Sequence, residues 1–180
     1  MSKKLLVIST SPRKGGNSDR LADQFLEGAL SAGTQGEKIT LRDHTLGFCQ
    51  GCLACQSTGR CVIRDDGEAI VQKMGDADVI AFATPIYYYE MCGQMKALLD
   101  RANPLYSSDY RFRDIYLLAS AAEEDPHTID RAVWGLEGWI SCFEKARFAG
   151  SVFAGGVTAV GEIKGHPALE KARAMGASIK

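Results

Sequence analysis

The sequence predicts a doubly wound α/β fold, an open parallel sheet of five strands in the order 2-1-3-4-5 with helices on both faces. Three observations carry the prediction. Four apolar runs, Leu5 to Ser9, Val79 to Thr84, Ile115 to Ser120 and Phe148 to Phe153, are unbroken enough to be strands buried on both faces. The stretches between them place apolar residues at helical spacing, as crossover helices require. A further short segment, near Lys38 to Leu41, alternates polar with apolar and reads as an edge strand with one covered face.

Taken in order, Leu5 to Ser9 is the first strand, and Leu21, Ala22, Phe25, Leu26, Ala29 and Leu30 then fall on one face of the first helix. The alternating segment lies outside the first strand. Val79 to Thr84 is the third strand, followed by a helix carrying Met91, Met95, Leu98 and Leu99. Ile115 to Ser120 is the fourth, followed by a helix carrying Ile129, Val133, Leu136, Ile140 and Phe143. Phe148 to Phe153 completes the sheet, and a terminal helix runs from about Pro167 to Met175. No repeat, linker or low-complexity tract interrupts the 180 residues, so one domain over 1–180 is expected.

Charge and hydropathy narrow the partners. Lys and Arg total 21 against 22 Asp and Glu, a net charge of -1. No basic run offers the footprint that a nucleic acid or an anionic membrane needs. The apolar stretch after Lys3 and Lys4 is shorter than the roughly 7 to 15 residues of a signal peptide. No segment approaches the ~20 apolar residues that span a bilayer. A cytoplasmic protein with free thiols is expected, acting on small molecules or a redox protein.

Ligands of such sheets sit at the carboxyl ends of the strands where the winding reverses, here after strands 1 and 3. The first of these loops is STSPRKGGNSDR. Ser9, Ser11, Asn17 and Ser18 supply side-chain donors, Gly15 and Gly16 let backbone N–H groups turn inward, and the helix start adds its dipole. Arg13 would grip a phosphate through two N–H groups. The bland alternative is a solvated turn with a helix cap. No Gly-Lys-Ser/Thr follows the glycines and no G-x-G-x-x-G is present, which disfavours ATP and tightly bound NAD. A single terminal phosphate, such as that of FMN, suits the loop better.

The second loop begins at Thr84 and Pro85 and continues through Ile86, Tyr87, Tyr88 and Tyr89. Backbone N–H groups of residues 86 to 88 are expected at the pyrimidine edge of a flavin, with the rings flanking it. The alternative for the tyrosines is packing at a subunit interface. Ser120, at the carboxyl end of the fourth strand, is counted with the same set.

These stretches, STSPRKGGNS, DVIAFATPIYYYEMCGQMKALLDR and the cysteine segment between them, resemble the NAD(P)H-dependent FMN reductase family, in particular its iron-sulfur flavoprotein branch. The resemblance spans roughly residues 4 to 105 and more weakly GGVTAVGEIKGHPAL. It implies a flavodoxin-like three-layer sandwich, FMN as cofactor, NAD(P)H as electron donor, and homodimers or homotetramers that complete the flavin site. It also implies that Ser11, Arg13, Asn17 and Ser18 hold the phosphate and that Pro85, Ile86, Tyr87 and Tyr88 lie along the ring.

Cys49, Cys52, Cys55 and Cys61 are spaced C-x2-C-x2-C-x5-C, which lets thiolates converge on one inorganic core and suffices for a [4Fe-4S] cluster. The same loop reads equally as a metal-free cover of the active site. Zinc and disulfides rank behind both, because structural zinc uses two cysteine knuckles held further apart. Cys92 and Cys142 read as buried small hydrophobes on helices.

Hydride would pass between nicotinamide and flavin, so no catalytic acid, base or nucleophile is named. His44, His127 and His166 have no triad or metal context and are expected at the surface or in caps. Asp65, Asp66, Glu123 and Glu124 read as solvated helix starts. A phosphatase is excluded, since no cysteine is followed by Arg at the C-x5-R spacing. A flavodoxin-type electron carrier is the remaining rival, but such carriers usually present a strongly acidic docking face. The acceptor, whether quinone, flavin, azo or nitro compound or protein, leaves no motif.

Overall fold

In the computed structural model, which describes residues 2–179, the first apolar run forms β1 (Lys4–Ser9), buried from Leu5 onward. The chain then runs through α1 (Asn17–Ser31), β2 (Gln35–Thr40), a short α2 (Ala54–Thr58) and α3 (Gly67–Asp76). β3 (Val79–Tyr87), β4 (Glu90–Met91), α4 (Gly93–Arg101) and β5 (Asp114–Ser120) follow. α5 (Asp130–Ile140), β6 (Arg147–Ala154) and α6 (Pro167–Ala177) complete the described chain.

The strands lie in the order β2-β1-β3-β5-β6, every neighbouring pair parallel. This is the predicted winding. Alternate residues of β1 point to opposite faces, so Leu5 and Val7 enter one core while Leu6 and Ile8 enter the other. The Leu5 side is filled by Leu21, Ala22 and Phe25 of α1 and by Ala168 and Ala172 of α6. The Leu6 side takes Ile70 and Met74 of α3, Met95 and Leu98 of α4, and Leu136 and Ile140 of α5. Two apolar layers thus clamp one sheet. α1 and α6 meet backbone to backbone: a Cβ on Gly28 would lie 2.0 Å from the Arg173 carbonyl oxygen, and one on Gly176 would lie 2.0 Å from that of Phe25.

The structure departs from the sequence reading in several places. A sixth strand, β4, pairs antiparallel with the end of β3, which extends β3 to Tyr87 and moves Met91 from a helix into the hairpin. β2 begins and ends earlier than Lys38 to Leu41, because its pairing with β1 starts at Gln35 opposite Lys4 and tolerates polar side chains at a sheet edge. β6 is the opposite edge and only partly covered, so its apolar run does not make it a strand buried on both faces. Leu30 is exposed, one step around α1 from the buried Ala29. Cys142 is exposed because α5 stops at Ile140, before reaching it. Glu123 and Glu124 lie in the loop after β5 rather than at a helix start. Among the described residues, no helix is long and apolar enough to cross a membrane.

Candidate functional site

The first switch-point loop turns at Gly15, whose φ is +64°, and passes Gly16 so closely that a Cβ there would sit 2.5 Å from the Ser11 hydroxyl. α1 starts at Asn17 with no side-chain cap, leaving first-turn N–H groups without intrahelical acceptors. Around this start the hydroxyls of Ser9 and Ser18 are buried and have no hydrogen-bond partner. Ser9 also lies beside the Asp19 carboxylate, outside hydrogen-bond geometry. Burial tends to raise the Asp19 pKa, but Ser9, Lys38 and Arg42 outweigh it and hold the carboxyl below its ordinary value. Buried hydroxyls without partners and a helix start without a side-chain cap thus lie side by side, leaving polar groups that the fold itself does not satisfy.

The remaining loop residues are used differently. Ser11 Oγ donates to the Arg13 carbonyl at 3.1 Å and accepts from the Arg13 N–H at 3.3 Å, which holds the turn. The Arg13 guanidinium donates to the Thr158 carbonyl at 2.8 Å. Asn17 donates to Ala159 O at 3.1 Å and accepts from Ile163 N–H at 3.3 Å. The segment after β6 is thereby laid against the first loop. Glu162 fixes its turn by accepting from the N–H groups of Thr158 and Ala159, and these bonds hold its pKa down.

β1 and β3 are neighbours, so the second loop leaves the sheet beside the first. Pro85 stands opposite Ser120 in the β3–β5 register, which brings that buried serine to the same end of the sheet. The two loops are stitched by residues that sequence reasoning passed over. Thr10 donates from N–H and hydroxyl to Ala83 O at 2.8 and 2.9 Å, and its hydroxyl lies 3.1 Å from the Cys92 thiol. Thr84, expected at the cofactor, is fully buried: its hydroxyl donates to Pro85 O and accepts from Cys92 N–H. It shapes the loop from beneath. Cys92, expected as a buried small hydrophobe on a helix, is fully buried but stands at the N-terminal cap of α4 rather than within it.

Ile86 and Tyr87 pair with Met91 and Glu90, leaving Tyr88 and Tyr89 as a two-residue hairpin turn with φ of +51° and +66°. Both values lie in the left-handed region that such turns usually fill with Asn-Gly. Tyr88 is 99% exposed, so no contact in the fold rewards its ring for that conformation. The double substitution Tyr88→Asn with Tyr89→Gly is expected to raise the thermal midpoint by about 2–4 °C, the equivalent of about 1 kcal/mol of relieved strain. A calorimetric scan checks this; an unchanged or lower midpoint refutes it.

The cysteine segment occupies a different flank. Cys49, Cys52, Cys55 and Cys61 all line one cavity of about 370 Å³, together with Arg101 and Asn103. A neighbouring cavity of about 280 Å³ shares Cys61 and Arg101. Both cavities are lined by the segment between β2 and α3 together with the end of α4 and the turn after it. Among the described residues, no three Cys, His, Asp or Glu side chains are gathered closely enough for a single metal ion.

This flank is pinned by Asp65 and Arg101, with side chains 7% and 1% exposed. The Arg101 guanidinium donates to both Asp65 oxygens at 2.7 and 2.8 Å and to Gly47 O at 2.8 Å. Asp65 also accepts from the N–H groups of Gly47 and Gly67. The Arg101 hydrogen bond, reinforced by these N–H groups, holds the Asp65 carboxyl down at about 2. Asp65 is therefore an ion-pair partner rather than a solvated helix start. Asp66 is exposed and accepts from Thr45 N–H, while His166 caps α6 through its ring nitrogen as expected.

Residues 3–179 match the family described as NADPH-dependent FMN reductase. The chain belongs to this family. Among curated relatives, an iron-sulfur flavoprotein of Methanocaldococcus jannaschii is 39% identical over 102 residues, which is 57% of this chain and 53% of that one. The chain spans about half the length of the curated relatives it matches. An NAD(P)H:quinone oxidoreductase of Methanothermobacter marburgensis superposes with a TM-score of 0.73 at 16% identity, covering 100% of both chains. An FMN-dependent NADH-azoreductase of Bacillus anthracis, solved with FMN, does so at 0.66 and 16%, covering 97% of this chain and 98% of that one. At these identities the superpositions show a shared flavodoxin-like fold. The unpartnered Ser9 and Ser18 hydroxyls lie beside an uncapped helix start in this chain.

Proposed function

We propose that the chain is an FMN-dependent NAD(P)H oxidoreductase that passes electrons from a nicotinamide to a quinone, flavin, azo or nitro compound, or protein acceptor. The pair of buried, unpartnered hydroxyls at the start of α1 carries this reading, in a chain of the FMN reductase family. In it, Ser9, Ser11 and Ser18 take the phosphate with the first-turn N–H groups of α1. Arg13 and Asn17 close the loop after β6 over it, through Thr158, Ala159 and Ile163. Pro85, Ile86, Tyr87 and Tyr88 line the ring, held in place by Thr84, Cys92 and Ser120. Bound FMN supplies the hydride acceptor, and no side chain needs to act as acid or base. The exposed hairpin tyrosines favour assembly as a homodimer or homotetramer at the same edge.

Cys49, Cys52, Cys55 and Cys61 are proposed to hold a [4Fe-4S] cluster, a group that supplies one-electron transfer. Support comes from the shared cavity and from relatives named iron-sulfur flavoproteins. A flavodoxin-type carrier without hydride transfer is the competing reading. Anaerobically purified protein decides between them: flavin absorbance bleached by NADPH supports the reductase, and bleaching only by a reduced ferredoxin supports the carrier. A colourless protein that takes up no added FMN sinks both.

Ser18→Ala gives a sharper test. Losing a hydrogen bond to a charged phosphate is expected to weaken FMN binding about 10- to 100-fold. The apoprotein should keep its stability, because the hydroxyl has no partner within the fold. Fluorescence titration with FMN and apoprotein melting read the two quantities, and unchanged affinity removes Ser18 from the site.

A further inference from the structure

The four-cysteine cavity holds nitrogen donors that a set of neutral thiols does not call for. Asn103 Nδ2 donates to Cys55 Sγ at 3.0 Å. Arg101 is 2% exposed, and although its two terminal nitrogens are bonded to Asp65, Gly47 and Ile63, its Nε is buried with no partner. Both residues line the cavity shared by the cysteines, and the Cys61 thiol lies within interacting range of the guanidinium. A thiol is a weak acceptor, whereas thiolate and sulfide are anionic acceptors that such donors stabilise.

We infer that Asn103 and Arg101 are sulfur-directed donors that set the reduction potential of a cluster bound by Cys49, Cys52, Cys55 and Cys61. This rests on the cluster reading above. Reduction adds negative charge to the cluster, so N–H groups aimed at its sulfurs favour the reduced form and raise the potential. Asp65 holds the Arg101 terminal nitrogens and leaves Nε without a partner, in a residue that lines the cavity. Asn103 sits at the start of the turn that follows α4, so α4 and its exit present both donors to one side of the cysteine segment.

The test uses full-length protein reconstituted anaerobically with ferrous iron and sulfide, its potential read by spectroscopically monitored redox titration. Arg101 variants threaten the fold, so Asn103→Leu is the main probe and Asn103→Ser, which keeps a shorter donor, the second. Asn103→Leu should retain iron and shift the reduced-to-oxidised ratio toward oxidised by up to about tenfold at a fixed potential, about 59 mV for one electron. Asn103→Ser should lie between it and the wild type. If Asn103→Leu loses its iron, a shifted potential in Asn103→Ser still supports the inference. A wild-type potential in Asn103→Leu overturns it and leaves the cluster standing; so does a wild-type potential in Asn103→Ser when Asn103→Leu has lost its iron. A wild-type protein that takes up no iron overturns the cluster reading, and this inference with it.

Discussion

Arg101→Met is expected to destabilise the protein by about 3–5 kcal/mol, because it leaves the Asp65 carboxylate buried without its cation. The methionine fills similar space, so the loss reports charge rather than volume. Arg101 ties Gly47, Ile63 and Asp65 to α4, so its removal should also loosen residues 47–67 and raise their susceptibility to proteolysis. The double variant Arg101→Met with Asp65→Asn should recover part of the lost stability, since the buried charge is gone and the one amide oxygen can still accept from either the Gly47 or the Gly67 N–H group. Denaturant unfolding of the single and double variants measures the coupling, and a single-variant loss below about 1 kcal/mol refutes the role assigned to the pair.

The same pair sets an acid limit. Asp65 titrates at about 2 in the fold against 3.8 in a free chain, so its stabilisation is complete above the free-chain value. It is lost as the pH falls from there toward about 2 and amounts to about 2 kcal/mol. Arg101→Met should flatten this part of the stability profile.

Gly176→Ala is expected to cost about 2 kcal/mol or more, although alanine is the better helix former by about 1 kcal/mol. Its Cβ would stand 2.0 Å from the Phe25 carbonyl oxygen, a backbone atom that only moves if α1 and α6 separate. Separation would open the layer containing Phe25, Ala29 and Ala172, all fully buried. Gly28→Ala should behave alike, meeting Arg173 O at 2.0 Å. Gly138→Ala in α5 is the control: nothing lies within 4 Å of its Cβ, so it should stabilise by up to about 1 kcal/mol. Equal effects at Gly176 and Gly138 would show that the helix contact is unimportant.

Much of the fold was legible because burial leaves a period. The runs at Leu5, Val79 and Ile115 are strands in the predicted order, and the switch-point loops follow from that order. The hairpin at Tyr88 and Tyr89 was not legible, since two tyrosines contradict the residue preference of the turn they occupy. Thr84 carried the composition of a ligand loop but is spent on Pro85 and Cys92, a choice made by the path of the backbone.

The sequence by itself determined the layers, the strand order and the two loops that meet at the strand ends, because alternation and helical spacing are local consequences of burial. Only the tertiary structure decided that Arg101 answers Asp65 across 36 positions, that Cys92 joins Thr10 across 82, and that Asn103 reaches Cys55. These pairings depend on where elements pack rather than on spacing along the chain. A buried donor or charge takes whatever partner the fold brings within reach, and no period in the sequence records which one that is.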